Sequence, residues 1–154
     1  MILGSLPGAE SLAKQQYYAK TQNSFWKIMG ELAGAFPALP YEERLERLKA
    51  HGIAVWDVCA AADRVGSLDS AIKAPKPNDF AGFFAAHAAI ERICFNGQPA
   101  GKLFDRLARP ALPEAIALLP RVVLPSTSPA HAGMPFEEKL ARWRAAFGAF
   151  ADVY

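Results

Sequence analysis

The chain has 154 residues, of which 52% are hydrophobic and 21% charged, and its formal net charge is +2. These values indicate one globular domain over residues 1–154 and exclude a disordered chain, while the small charge permits a nucleic-acid partner without indicating one. The start of the chain lacks the regions of a signal peptide, and no apolar run approaches the about 20 residues that span a bilayer.

Four short apolar runs end in turn-forming residues and are predicted to be β-strands: Ile2-Leu3 and residues 53–58, 92–97 and 121–126. The last three are almost continuously apolar, which is typical of strands covered on both faces. The first run is short because only Met1 to Gly4 precedes a turn. A longer native N-terminus or a mis-assigned start therefore stays open.

Helical patterns lie between and after these runs, over residues 23–34, 40–52, 79–90, 98–107 and 135–150. Asn23 and Asn78 are predicted to cap two of the helices, and Pro40 to occupy the first position of another. Alternating strands and helices predict an α/β fold of three layers, with a central four-stranded, mostly parallel sheet between layers of helices.

Small and polar residues follow each predicted strand: GSLPG at 4–8, DVC at 57–59, FNG at 95–97 and PSTSPAH at 125–131. The carboxyl ends of parallel strands share one edge of a sheet, and ligands of open α/β sheets bind at that edge. We therefore expect a site of amides, hydroxyls and backbone N–H groups that binds anions and positions water.

Several familiar catalytic patterns are absent from the sequence. It has no GxGxxG, GxxxxGK[ST] or GxSxG motif, which argues against a dinucleotide enzyme, a phosphate-loop enzyme and a serine hydrolase. Cys59 and Cys94 lie in apolar stretches, as expected of core residues in a reducing cytoplasm, although their spacing does not exclude a Cys–His pair. With three scattered histidines they form no metal pattern. We expect a monomeric, cytoplasmic protein without metal, cofactor or membrane contact.

Four segments in a fixed order resemble the uracil-DNA glycosylase superfamily: residues 3–29, which include NSFWK, 52–72, 95–97, and 124–132, which include PSTSPA. The sequence is most similar to the deoxyinosine (hypoxanthine) branch, which is related to the mismatch-specific uracil and thymine glycosylases. The resemblance implies a monofunctional enzyme that flips a deaminated base out of DNA and hydrolyses its N-glycosidic bond. Hypoxanthine is the first expected substrate, followed by uracil or xanthine.

The resemblance also implies roles for individual residues. Asn23 would hold the attacking water, because it matches the asparagine before the FW pair that has the catalytic part in the deoxyinosine branch. Leu6 stands where the mismatch-specific relatives have a water-orienting asparagine, and it cannot orient water. Tyr18 would stack on the flipped base, Asp57 would accept a ring N–H that adenine lacks, and Asn96 would face the pocket or serve only a turn. The expected contacts to DNA are Gly4, Ser5, Pro7, Gly8, Ser126, Thr127, Ser128 and His131.

Two other activities stay open, a non-catalytic module that binds damaged DNA and a hydrolase of free nucleosides. A basic face on the last helix would favour DNA, although a solvated helix explains the same residues. The face would comprise Lys139, Arg142 and Arg144, with Arg121 nearby in sequence. Lys20-Thr21 stands where relatives commonly carry His-Pro, so the resemblance does not define the shape of the pocket there.

Overall fold

The computed structural model of the protein describes residues 1–63 and 72–148. The strands are β1 (Ile2–Gly4), β2 (Val55–Asp57), β3 (Cys59–Asp63), β4 (Lys73–Pro77), β5 (Ile93–Asn96) and β6 (Arg121–Leu124). Four of them form a central sheet in the order β2-β1-β5-β6, and all its neighbouring strands are parallel. β3 and β4 form a separate antiparallel pair.

Seven α-helices connect or follow these strands in the described residues. They are α1 (Ala9–Lys14), α2 (Phe25–Ala33), α3 (Tyr41–Ala50), α4 (Phe80–Ala86), α5 (Gln98–Leu103), α6 (Glu114–Ala117) and α7 (Phe136–Gly148). A π-helical turn (Phe104–Ala108) and a short 3-10 turn (Arg109–Ala111) continue α5, and another 3-10 turn (Pro129–His131) follows β6. Within residues 1–63 and 72–148, no helix is both long and apolar enough to cross a bilayer.

The sheet separates two hydrophobic clusters, because neighbouring residues of a strand point to opposite faces. Ile2 and Cys94 pack on one side with residues of α2 and α7, including Phe25 and Trp143. Leu3 and Phe95 pack on the other side with residues of α4 and α5. The predicted three-layer α/β architecture with a four-stranded parallel sheet is therefore confirmed.

Several local predictions were wrong. Asp79, not Asn78, caps α4, since its Oδ1 accepts the N–H of Gly82 at 3.0 Å. Asn78 instead donates from Nδ2 to the backbone oxygen of Asp57 at 2.8 Å. Pro40 lies just before the first residue of α3, and α4 ends at Ala86. The hairpin of β3 and β4, and the short helices α1 and α6, were not predicted.

Two predictions extend beyond the described residues. The segment 52–72, which carries part of the resemblance, is described as far as residue 63 and again at residue 72. The last predicted helix, 135–150, is described from Phe136 to Gly148.

Candidate active site

A cleft of about 1040 Å³ lies at the carboxyl edge of the central sheet. Gly4, Asp57 and Asn96 are the last residues of β1, β2 and β5, and Ser126 follows β6 closely. A cleft is therefore present at the edge where the sequence predicts the site. All the site residues proposed from the sequence line the cleft except His131; they are Gly4, Ser5, Pro7, Gly8, Tyr18, Asn23, Asp57, Asn96, Ser126, Thr127 and Ser128.

Asn23 lies at the cleft immediately before the start of α2. Ser24, not Asn23, occupies the N-cap position of α2, but Asn23 still caps the helix start with its side chain, because its Oδ1 accepts the backbone N–H of Phe25 at 2.9 Å. An amide oxygen has two acceptor lone pairs. Capping therefore leaves Oδ1 one acceptor position for a further donor such as water.

The ring of Tyr18 stacks on Phe25, with ring centroids 4.0 Å apart and an interplanar angle of 23°. Phe25 is the first residue of α2 and is fully buried. It therefore provides a fixed support for Tyr18 in the cleft wall. A Cβ atom on Gly4 would lie 3.0 Å from the Tyr18 hydroxyl and 2.6 Å from Oδ1 of Asp57. Both polar groups thus lie against the Gly4 backbone, in the space that a side chain there would need.

Asp57 is 7% exposed at the end of β2. Burial raises the pKa of the nearby Tyr17 to about 12, and the Asp57 carboxylate and Tyr41 add to the rise. Tyr17 is held through its backbone, which donates to the Tyr41 hydroxyl at 3.0 Å and accepts from Nε1 of Trp26 at 2.9 Å. A protonated phenol therefore accompanies the carboxylate throughout the physiological pH range.

Asn96 and Thr127 form a buried pair across the cleft floor. Asn96 donates from Nδ2 to Thr127 Oγ1 at 2.8 Å and accepts the Thr127 N–H on Oδ1 at 2.9 Å. The Thr127 carbonyl accepts the N–H of Ser24 at 3.0 Å. This arrangement ties the end of β5 and the loop after β6 to the start of α2. Because Thr127 is only 1% exposed, the phosphate contact expected of its side chain is not accessible in this conformation.

The rest of the loop after β6 keeps its hydroxyls closer to solvent. Ser126 Oγ accepts the N–H of Ser128 at 3.2 Å, and Ser128 Oγ accepts the N–H of Ala130 at 3.2 Å. As acceptors in these bonds, both hydroxyls keep their protons to donate. His131 is exposed outside the cleft, and its carbonyl accepts from Nζ of Lys139 at 3.3 Å.

The contacts of the last helix do not favour the basic face that the sequence left open. Lys139 is only 5% exposed, and burial lowers its pKa. Arg142 pairs with Glu138 at 2.6 Å and Arg144 with Glu31 at 3.6 Å. Arg121 is also engaged, by Asp105. The alternative interpretation, a helix whose charges are solvated or paired, fits these contacts.

Sequence reasoning missed several residues of the cleft wall. Asn78 donates to the backbone oxygen of Asp57, and the charge of Asp57 contributes to the raised pKa of Tyr17. Trp56 precedes Asp57 in the cleft wall and stacks on Phe83, with ring centroids 4.6 Å apart. Trp56 could have been predicted in the cleft wall because it is next to Asp57 at the end of β2. Tyr17 and Asn78 could not, because only the fold brings them close to Asp57. Among the described residues, no three His, Cys, Asp or Glu side chains are grouped so that they could hold a metal ion.

The family model described as the Uracil DNA glycosylase superfamily matches residues 1–148, and the chain belongs to that superfamily. Over 148 residues, which are 96% of this chain and 89% of the relative, it is 38% identical to a Methanosarcina acetivorans protein named hypoxanthine DNA glycosylase. A protein of the same name from Methanosarcina barkeri is 38% identical over 103 residues, covering 66% of this chain and 65% of the relative.

A solved structure supports the same assignment. It is the solution NMR structure of a Methanosarcina acetivorans protein whose name refers to uracil DNA glycosylase. The two chains share 38% sequence identity and superpose with a TM-score of 0.77, over 95% of this chain and 86% of the other.

Proposed function

We propose that the protein is a DNA glycosylase that hydrolyses the N-glycosidic bond of deaminated bases in DNA, with hypoxanthine as its first substrate. One observation carries the proposal: Asp57, distant in sequence from Tyr18 and Asn23, lines the same cleft with them at the carboxyl edge of the sheet. Membership of the superfamily and the relatives named hypoxanthine DNA glycosylase support it.

The substrate base reaches the cleft by rotation out of the duplex. An enzyme cannot reach the glycosidic bond of a stacked base, so the nucleotide is extruded at a cost of about a few kcal/mol, least at a mismatch. A cleft of about 1040 Å³ is large enough to hold a flipped nucleotide. Stacking on Tyr18, which is itself supported by Phe25, recovers part of this cost.

Asp57 distinguishes hypoxanthine from adenine by a hydrogen bond. Hypoxanthine carries a ring N–H beside its carbonyl, whereas the matching ring nitrogen of adenine has no hydrogen. The buried carboxylate accepts that N–H, whereas adenine presents a ring nitrogen lone pair to it at the same position, which disfavours the normal base. The ring N–H of uracil satisfies the same acceptor, so the arrangement also admits uracil.

Asn23 positions the water that attacks the sugar. Its Oδ1, already fixed by the Phe25 N–H, accepts a hydrogen of the water and holds it beneath the anomeric carbon. The bond from that carbon to the base breaks with its electron pair going to the base, and the water oxygen forms the new bond. The water loses a proton to solvent, and the departing base anion takes up a proton from solvent. Orientation in the cleft supplies the rate enhancement without a strong base, because the sugar already has oxocarbenium character.

The DNA backbone is held along the rim of the cleft. Ser126 and Ser128 donate their hydroxyl protons to phosphates, and residues 4–8, which follow from the end of β1, approach the DNA backbone at the same edge of the sheet. Thr127 and Asn96 fix the geometry of the loop rather than contact phosphate. His131 remains available to the duplex beyond the cleft.

The test is base release from a duplex oligonucleotide that contains one deoxyinosine, followed by alkaline cleavage at the abasic site. Parallel substrates contain uracil or xanthine. Cleavage at the modified position is expected; its absence with every substrate and pairing would refute the enzymatic proposal. Salt-dependent binding without base release would favour a non-catalytic module, and hydrolysis of free inosine would favour a nucleoside hydrolase.

Replacement of the proposed water-holding residue gives a sharper test. Asn23→Ala is expected to lower base release at least about a hundredfold, in the range found when a transition-state hydrogen bond is removed. Loss of the helix cap costs about 1 kcal/mol of stability and leaves the protein folded.

Asp79→Ala is the matched control, because it removes the equivalent cap of α4 outside the cleft. It should cost similar stability in urea unfolding and leave base release unchanged. Equal activity of the two variants would refute the role of Asn23.

A further inference from the structure

Tyr17 lines the cleft but has no part in the proposed mechanism. Its side chain is half-buried and packs against the hydrophobic cluster that contains Phe25. Its N–H donates to the Tyr41 hydroxyl at 3.0 Å, and its carbonyl accepts from Nε1 of Trp26 at 2.9 Å. The hydrogen bonds that the described residues form with Tyr17 thus involve its backbone, which leaves its hydroxyl to a molecule in the cleft.

We propose that Tyr17 donates its hydroxyl proton to the carbonyl oxygen of the flipped base, beside the ring N–H that Asp57 accepts. The proposal rests on the proposed function, because it requires a flipped base in the cleft. In hypoxanthine the carbonyl and this ring N–H are neighbours on one edge of the base. A donor next to an acceptor in the cleft wall therefore matches both groups at once.

The surroundings of the hydroxyl agree with a role as donor. Burial raises the pKa of Tyr17 to about 12, and the nearby Asp57 carboxylate adds to the rise, so the phenol keeps its proton throughout the physiological pH range. Tyr18 is the other tyrosine in the cleft lining, but its hydroxyl oxygen is buried against Gly4. Of these two hydroxyls, the Tyr17 group is therefore the one placed to meet a base.

The charge of Asp57 gives this donor a purpose in the reaction. As the glycosidic bond breaks, the base gains negative charge, and its conjugated rings spread part of that charge to the carbonyl oxygen. The neighbouring carboxylate opposes this change, because like charges repel. A hydroxyl that donates to the carbonyl oxygen stabilises the charge as it develops, which lowers the barrier. Tyr17 therefore offsets the repulsion from the carboxylate that selects the base.

The experiment compares base release by wild type and Tyr17→Phe from two duplexes, under single-turnover conditions. One duplex carries deoxyinosine and the other deoxy-6-thioinosine, which keeps the ring N–H but replaces the carbonyl oxygen by sulfur, a weak acceptor. Tyr17→Phe is expected to lower the rate on deoxyinosine at least about tenfold and the rate on the thio substrate by less than about threefold. The backbone contacts of Tyr17 do not require its hydroxyl, so the variant should fold.

Tyr41→Phe is the matched control. It removes a neighbouring hydroxyl that lies outside the cleft lining and accepts the N–H of Tyr17. Any loss that it causes comes from a less firmly held backbone, and should therefore be the same on both substrates. A change of the ratio between the two substrates in Tyr17→Phe alone distinguishes a contact with the base from a structural effect.

A binding readout separates this proposal from the proposed function. Duplexes with the 2′-fluoro forms of the two nucleosides, which resist hydrolysis, are titrated with each protein. Wild type and Tyr41→Phe should bind the carbonyl form more tightly than the thio form, and Tyr17→Phe should bind the two forms about equally. If wild type releases no base but this difference persists, the proposed function fails and the Tyr17 contact stands. Base release by Tyr17→Phe that is unchanged on deoxyinosine or equally reduced on both substrates would overturn the contact. So would equal preferences of the three proteins in binding.

Discussion

The geometry of the site depends on the absence of a side chain at Gly4. Its backbone lies outside the left-handed region, so glycine is not needed there for its conformation. It is needed because the carboxylate of Asp57 and the hydroxyl of Tyr18 occupy the space beside its Cα. The GSLPG pattern therefore has a steric cause: the absence of a side chain at the end of β1 lets two neighbouring polar groups approach the backbone.

Gly4→Ala tests this close approach. The new Cβ would lie 2.6 Å from Asp57 Oδ1, so the buried carboxylate must shift. Overpacking of this kind costs about 1–3 kcal/mol of unfolding free energy. Because a displacement of about 1 Å can cost a hundredfold in rate, we expect base release to fall at least about tenfold. Single-turnover kinetics and urea unfolding measure the two effects.

Gly133→Ala is the control for that substitution. Gly133 lies in the loop after β6, and no described atom comes within 4 Å of the position its Cβ would take. The variant should keep both stability and base release. If Gly4→Ala retained full activity, Asp57 and Tyr18 would not have to keep their positions for the reaction.

At the scale of elements, the loop after β6 owes its position to tertiary contacts. Besides the pair formed by Asn96 and Thr127, the carbonyl of Pro125 accepts from Nε1 of Trp143 on α7 at 2.9 Å. The loop is thus tied to β5, α2 and α7 together. Its hydroxyls reach the cleft on a fixed backbone, which lowers the entropy lost when DNA binds.

Thr127→Val measures the contribution of this pair. Valine has nearly the same shape but removes the acceptor for Asn96 Nδ2, leaving a buried donor unsatisfied. We expect a loss of about 1–3 kcal/mol in unfolding free energy, the usual cost of such a donor. Urea unfolding monitored by tryptophan fluorescence gives the value.

Thr21→Val provides the comparison for the same change of side chain at the surface. Its hydroxyl donates only to the exposed side chain of Gln22, at 3.3 Å. A change within about 0.5 kcal/mol is expected there. Similar losses in the two variants would mean that the hydroxyl of Thr127 contributes nothing particular to the loop.

Elements with a strong local pattern could be predicted, and those defined by tertiary contacts could not. The β5 and β6 strands are short apolar runs, and α2 and α7 have periodic apolar faces, so each has a signal in its own sequence. The β4 strand is KAPKP, mostly exposed and with two prolines that cannot donate to a ladder, and it pairs only because β3 lies beside it. α1 buries nothing and so has no periodic face.

The same distinction applies to the site. Positions at the strand ends follow from the parallel sheet, so Asp57, Asn96 and Ser126 could be placed in one cleft from the sequence. The partners of buried side chains could not, because a sequence does not show which polar groups meet across the fold. Thr127 was therefore expected at the DNA surface, and Lys139 was considered for a basic face, but both are buried.

For the whole molecule, the important quantity is the small net positive charge. The net charge is +2, and the arginines of α7 and Arg121 are engaged by acidic side chains. We therefore expect hydroxyl and backbone contacts and the base itself to contribute a large part of the affinity for DNA. Such contacts release few counterions, whereas lysine and arginine contacts to phosphate release one each.

This charge distribution predicts weakly salt-dependent binding to a duplex with an abasic analogue. We expect log Kobs to fall with log[salt] at a slope of magnitude below about 4, since the slope is about −0.9 per neutralised phosphate. Lys20 is exposed at the cleft, so Lys20→Ala should reduce the slope by about 1. Lys27, exposed on α2 outside the cleft, provides the control and its replacement by alanine should leave the slope unchanged. A steep slope in wild type, or equal effects of the two lysines, would show that a dispersed positive surface holds the DNA instead of the cleft.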